Sequence, residues 1–286
     1  MLCRSVTFLS LLALAATAQT RVIMLGSGNP NANPDRSGPA VAVVVNGAIY
    51  LVDAGPGVVR RAAAAHLQVT DLDHVFITHL HSDHTLGLPD LMFSPWVLGR
   101  KTPIEAYGPP GLKAMARNIE AAWSDDIAVR VNGLEHAPPS GYQMNVHEID
   151  AGPIYKDANV AVTAFRVRHG SWKEALGYRF QTSDRVIVFS GDTAPTNAAA
   201  DACNGCDLLF YEVYNPGGTI PPAWRKYMAA FHTSTDELGP IATRAHPKLL
   251  VLYHQMGEGA SEDALLARLR QSYHGAVVAS RDLQIF

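Results

Sequence analysis

The chain is short of charge, of cysteine and of long apolar runs, and each shortage excludes a class of protein. Charged residues make up 17% of the 286 and hydrophobic residues 48%, a balance that excludes a disordered, fibrous or coiled-coil protein and fits one large or two modest globular domains. The longest uncharged apolar run, residues 6–16, has 11 residues. That is about half of what a bilayer span needs, so no membrane anchor is expected. It follows Arg4 and precedes Ala16-Thr17-Ala18, and together these read as an export signal over residues 1–18. The expected mature domain is 19–286, in a periplasmic or secreted location.

Basic charge is scarce too. There are 23 Lys+Arg against 26 Asp+Glu, a formal net charge of −3, and basic residues occur at most in pairs such as Arg60-Arg61, Arg100-Lys101 and Arg225-Lys226. A protein that grips a phosphate backbone usually carries a basic stripe. The charge balance therefore argues for a small-molecule substrate, neutral to anionic and bound locally, and nucleic acid is not expected as a partner. Of three cysteines, Cys3 lies in the signal, leaving Cys203 and Cys206 as one CxxC pair. Two further ligands would be needed nearby for a structural zinc, so the pair reads as a local disulfide without a catalytic role.

Periodicity gives strands at 21–25, 40–45, 48–52 and 74–78, with a helix at 58–67 between them. Further strands fall at 104–107, 160–167, 175–181, 186–190, 208–212 and 249–254, and helices near 111–123, 235–245 and 262–272. Ser234 with Glu237 three residues on, and Ser261 before Glu262 and Asp263, are N-terminal caps for the last two helices. No linker rich in Pro, Gly or Ser divides the chain, and no repeat is visible. The pattern predicts an α+β sandwich, two mixed β-sheets with helices outside.

The chemistry concentrates in Thr78-His79-Leu80-His81-Ser82-Asp83-His84, an HxHxDH motif directly after an apolar strand. Three imidazoles and a carboxylate in six residues cannot all be absorbed as core side chains, and they are the ligand set that divalent zinc takes. His79 and His81 project to one side of an extended loop, while Asp83 and His84 turn toward a neighbouring position. Such a motif can serve two ions.

With Leu25-Gly26-Ser27-Gly28, Asp53-Ala54-Gly55-Pro56-Gly57 and Tyr107-Gly108-Pro109-Pro110-Gly111, the motif resembles the metallo-β-lactamase superfamily, in the branch of ribonuclease Z and related arylsulfatases and phosphodiesterases. The resemblance runs from Leu25 to His254 and implies an αβ/βα four-layer sandwich. It also implies three more ligands: His169 ahead of Gly177-Tyr178-Arg179, Asp192 in Ser190-Gly191-Asp192-Thr193, and His254 at the end of an apolar strand. Read from the residues alone, Asp192 is a strand-end carboxylate in a glycine turn, His254 caps a buried strand, and His169 follows Arg168.

By resemblance, one ion takes His79, His81 and His169, the other takes Asp83, His84 and His254, and Asp192 bridges them. Asp83 and His232 are the implied catalytic residues, His232 as proton donor. In the family that histidine sits in a His-Ser-Thr triplet, and here Thr233 follows it. Glu212 in Tyr211-Glu212-Val213 occupies the family's acidic position, either orienting an imidazole or facing water. Trp172 and Tyr155 are candidates for walling an aromatic substrate. His66, His74, His136, His147, His246 and His274 read as surface or structural residues.

The expected activity is that of an exported di-metal hydrolase acting on phosphodiester or sulfate esters through a metal-bound hydroxide. The alternatives are a ribonuclease Z-type endonuclease that processes tRNA 3′ ends, disfavoured by export and by the lack of an inserted basic arm, and a lactonase or inactive metal-binding domain. Two Zn2+ per chain are expected, with Mn2+ or Fe2+ also compatible because no cysteine ligand demands zinc. A homodimer across the Trp96 or Tyr107 region is left open.

Overall fold

Runs of Val, Ile, Leu and Ala at both ends of the chain pair into two sheets packed face to face. The computed structural model describes residues 20–217, 220–256 and 261–286, and the expected export signal lies outside the described residues. No helix among these residues is long and apolar enough to cross a membrane.

The first half opens with β1 (Thr20–Gly26), β2 (Ala40–Val45) and β3 (Ala48–Val52), paired antiparallel. Helix α1 (Val58–Ala64) leads to β4 (His74–Phe76), α2 (Ser82–Thr85) and α3 (Leu88–Val97). Then β5 (Ile104–Gly108), α4 (Leu112–Ala122), α5 (Ser124–Asn132) and β6 (Met144–Glu148) complete a six-stranded sheet in chain order, parallel from β3 to β6.

The second half begins with the antiparallel strands β7 (Gly152–Lys156), β8 (Ala161–Arg166), β9 (Leu176–Gln181) and β10 (Val186–Phe189). After α6 (Ala198–Cys203) come β11 (Leu208–Tyr214), α7 (Pro222–Phe231), α8 (Thr235–Ala245), β12 (Leu249–Met256), α9 (Glu262–Leu269) and β13 (Val277–Ala279), with β10 to β13 parallel. Both sheets are mixed. Phe76, Phe180, Phe189, Phe210 and Tyr253 fill the space between them, and each outer face carries a helical layer over its own apolar core. This is the expected four-layer α+β sandwich. The C-terminal residues close the β1 edge, where Val22 and Phe286 exchange both backbone hydrogen bonds.

Several expectations change in three dimensions. Tyr155 does not approach His169: it sits on β7 in an aromatic cluster with Tyr50, His74, Phe76 and Tyr107. Trp96 is fully buried and Tyr107 nearly so, so neither ring offers surface to a second copy. Cys203 and Cys206 form the expected disulfide. His66, His136 and His246 hold positive-φ turn positions, which is a structural use of histidine.

Helix α3 is hidden in the sequence because it contains two prolines. Pro89 falls in the first turn, where no amide is needed, but Pro95 lies inside the helix and has no N–H to offer the Leu91 carbonyl. Arg100 repairs the gap. Its buried guanidinium donates to the carbonyls of Leu91 at 2.9 Å, Met92 at 2.7 Å and Gly141 at 2.9 Å. Burial pulls its pKa down to about 10, against the attraction of Asp73. A residue that reads in sequence as half of a basic pair is therefore an interior clamp. Arg100→Met should cost about 3 kcal/mol of unfolding free energy in denaturant titrations, because buried carbonyls lose their donors. A loss below about 0.5 kcal/mol, the usual size for a surface change, would show that the clamp carries no stability.

Candidate metal centre

The candidate residues lie on loops at one end of both sheets, where the parallel strands finish. His79, His81, Asp83 and His84 follow β4, His169 follows β8, and Asp192 follows β10. Glu212 lies in β11 and His254 in β12. These strands belong to different sheets, so the cluster exists only when the sandwich closes.

Asp53 holds the first loop in place. It sits at the end of β3 with φ 61°, and its Oδ1 accepts from the Thr78 amide at 2.8 Å. Its Oδ2 lies 2.8 Å from His84 Nδ1 and accepts from the Thr78 hydroxyl at 2.9 Å. One buried carboxylate thus fixes both the start of the HxHxDH segment and the orientation of its last imidazole, leaving His84 Nε2 aimed inward. Gly55 follows because there is no room for a side chain: a Cβ there would lie 2.6 Å from the Asp83 carbonyl oxygen and 2.4 Å from the Gly38 carbonyl carbon.

His254 is aimed by a bulge. The pairing of β11 with β12 runs Glu212 to Tyr253 and then Val213 to Gln255, so His254 is the extra residue, at φ 46°. Bulges re-aim side chains in this way beside functional sites. His169 is oriented by its Nδ1, 2.7 Å from the Phe231 carbonyl, which leaves Nε2 free to face His81.

The imidazole nitrogens converge closely. His81 Nδ1 lies 3.0 Å from both His79 Nε2 and His169 Nε2. A tetrahedral zinc with bonds of 2.0–2.1 Å would separate its ligand nitrogens by about 3.3 Å, close to that spacing. His79, His81, His169 and Asp192 form one set of mutually close ligand atoms, and Asp83, His84 and His254 form another. Asp192 Oδ2 lies between the sets, 3.3 Å from His254 Nε2, 3.5 Å from His84 Nε2 and 4.0 Å from His79 Nε2. All seven residues expected as ligands are therefore brought together.

The electrostatics favour a cation here. Burial pushes His79 well below the ordinary imidazole range and takes His169 down to about 4. Burial also opposes charge on His84 and His254, but Asp192 and Asp83 outweigh it and raise both. Asp192 is driven well below the ordinary carboxyl range, because His254, His84 and His79 override its burial. His84 Nε2 and Asp192 Oδ1 are buried without a hydrogen-bond partner among the described residues. Unsatisfied polar atoms of this kind are costly in a protein interior, and a divalent cation fits them.

Two residues flank the cluster. Glu212, fully buried, accepts the amides of Thr193 and Thr233 on Oε1, each at 3.1 Å, and this oxygen lies 3.4 Å from His232 Nδ1. Thr233 is thus accommodated, its hydroxyl donating to the Thr193 carbonyl, and His232 stays at the site. Trp172 closes over His81 with its indole N–H 2.7 Å from Nε2. Sequence reasoning missed Asp53 as a positioning residue, although it opens the Asp53-Ala54-Gly55-Pro56-Gly57 turn. Asp53→Ala should weaken divalent-metal binding about 10- to 100-fold in chelator competition, because His84 loses its orienting partner. Unchanged affinity would mean that packing alone holds His84.

Comparison with known proteins fits this arrangement. Residues 49–255 match the beta-lactamase superfamily domain. Ribonuclease Z of Mycobacterium bovis is 31% identical over 274 residues, covering 92% of this chain and 96% of that protein. Ribonuclease Z of Mycobacterium marinum is 30% identical over 271 residues, with the same coverage. Among solved structures, the metallo-beta-lactamase fold protein YhfI from Bacillus subtilis superposes with a TM-score of 0.74 at 17% identity, over 94% of this chain and 99% of that one. Human tRNase Z, short form, gives 0.70 at 24% identity, over 93% and 98%. The sequence relatives overturn the expectation of a small-molecule substrate and no nucleic-acid partner, since those named here that match over nearly their full length are ribonucleases Z. They also favour the ribonuclease Z reading over the arylsulfatase one. Net charge is a sum over the whole sequence and does not say where the basic residues lie. The chain belongs to the metallo-β-lactamase superfamily, in its ribonuclease Z branch, and is a metal-dependent hydrolase of ester bonds.

Proposed function

We propose that the protein is a phosphodiesterase of the ribonuclease Z type that cuts RNA on the 3′ side of a tRNA-like substrate. The observation that carries this reading is the convergence of seven His and Asp side chains, with Glu212 and His232 beside them, in a chain related to ribonuclease Z over nearly its whole length. His79, His81 and His169 would hold one divalent cation, Asp83, His84 and His254 a second, and Asp192 would be common to both; zinc suits this donor set. When bound, such a pair supplies Lewis acidity and an activated water.

The chain's own residues do the rest. Asp53 and the Phe231 carbonyl fix the imidazoles of His84 and His169 so that their inward nitrogens need not reorganise. Glu212 Oε1 lies 3.4 Å from His232 Nδ1, and His232 lines the cleft beside α7. From there His232 passes a proton to the leaving ribose oxygen, the role for which a histidine near neutrality is suited. Burial raises the Glu212 carboxyl above its ordinary range while His232 draws it back down, and the carboxyl serves to orient that ring.

We infer export from residues 1–18 separately from the activity; under it the RNA cut is one met outside the cytoplasm rather than a cytoplasmic precursor tRNA, and N-terminal sequencing of protein from fractionated cells tests it. The activity is tested with a precursor tRNA carrying a 3′ trailer, alongside bis(p-nitrophenyl) phosphate, whose leaving group needs no proton. Wild type should cut the RNA at one 3′ position. His232→Ala should slow that cleavage about 10²- to 10⁴-fold at unchanged metal content, and slow the nitrophenyl ester much less. No RNA cleavage by metal-replete wild type would refute the reading, and equal losses on both substrates would remove His232 as proton donor.

A further inference from the structure

Helix α7 carries an aromatic stripe that the described residues cover only in part, leaving Tyr227, Met228 and Phe231 half-buried and Trp224 exposed. Trp224, Tyr227, Met228 and Phe231 recur at the spacing of one helical face, the arrangement that ordinarily marks a core-facing helix. Yet no residue of α7 is buried, and Trp224 is 56% exposed. The stripe is not a stray surface patch, because it leads into the site. The Trp224 ring meets Tyr227 edge-on at 5.5 Å, and Tyr227 stacks on Phe231 at 4.3 Å with an interplanar angle of 19°. Phe231 in turn packs against His169 at 5.0 Å, and Tyr227 lies 5.8 Å from His232.

Between α7 and the loop after β1 lies a cleft of about 470 Å³, lined by Asn29, Ile220, Trp224, Tyr227, Met228 and His232. That volume falls in the range of small-ligand sites. Arg225 and Lys226 are exposed on the same helix, turned away from the aromatic stripe rather than lining the cleft. Residues 220–231 contain no acid at all. An exposed indole, cations on the same helix and an end at the candidate proton donor are features that suit a surface for single-stranded nucleic acid.

We infer that α7 is a stacking platform for an unpaired nucleobase of the RNA strand next to the scissile phosphate, with the base on Trp224 and the strand's backbone continuing across the exposed side of the helix that carries Arg225 and Lys226. The inference rests on the ribonuclease reading above. It places substrate recognition on the short helix between β11 and His232, where the sequence shows only an isolated basic pair. Sequence tolerance follows, because every base has a face to stack.

Binding and turnover test it separately. The binding probe is a fluorescein-labelled single-stranded 2′-O-methyl RNA octamer, read by anisotropy with the metal-loaded protein. Trp224→Ala should weaken binding about 5- to 150-fold, the span of one base stack, and Trp224→Phe should restore most of it. Replacing Arg225 and Lys226 with Ala should lower the slope of log affinity against log salt by about 0.7 for each phosphate that is no longer neutralised. On cleavable RNA, Trp224→Ala should raise KM with little change in kcat. RNA cleavage with Trp224→Ala indistinguishable from wild type in both KM and octamer affinity would overturn the platform and leave the ribonuclease reading standing. Wild type that neither binds the octamer nor cuts RNA would overturn both.

Discussion

The carboxylate of Asp53 is the constraint on which the site depends. It stands at the end of one strand and bonds the backbone and hydroxyl of Thr78 just after the next, together with His84, the last residue of the HxHxDH motif. The loop therefore cannot choose its own conformation. Its imidazoles are set by a group that is 1% exposed and held in a positive-φ turn, and a buried carboxylate is tolerated there because three donors satisfy it. The close backbone packing of Gly55 against Gly38 and Asp83 belongs to the same arrangement.

From that anchor the remaining ligand atoms are delivered by devices that each sacrifice something locally. His254 occupies a bulge in a parallel ladder at a backbone angle that a histidine seldom adopts, and His169 leans on a carbonyl at the end of α7. Buried nitrogens and a carboxylate oxygen are left without protein partners among the described residues. A fold tolerates such costs where function requires them, and the large apolar cores between and outside the sheets supply the surplus. The same end of the sandwich carries the α7 cleft, so the reacting centre and the proposed base platform are parts of one surface.

Much of this was legible in the sequence, for a physical reason. The HxHxDH ligands are contiguous, so local spacing reveals them, and α8 announces itself through the Ser234–Glu237 capping box that the structure contains. His169, Asp192 and His254 are single residues far apart in the chain, and pattern resemblance located them where periodicity could not. Asp53 acts across 25 to 31 residues, and His254 through a register shift, neither of which leaves a compositional trace. Tyr155 misled because nearness along the chain is not nearness in space. Net charge misled for a related reason: it does not say where the basic residues lie, and it counts the interior clamp Arg100 as surface.

The most direct test of the account is where metal sits. A crystal of the zinc-loaded protein, measured on both sides of the zinc absorption edge, should show two anomalous peaks about 3.5–4 Å apart. One should lie among His79, His81 and His169, the other among Asp83, His84 and His254, with Asp192 touching both. Peaks elsewhere, or none in a crystal grown with excess zinc, would contradict the assignment of this cluster as the centre of the chemistry.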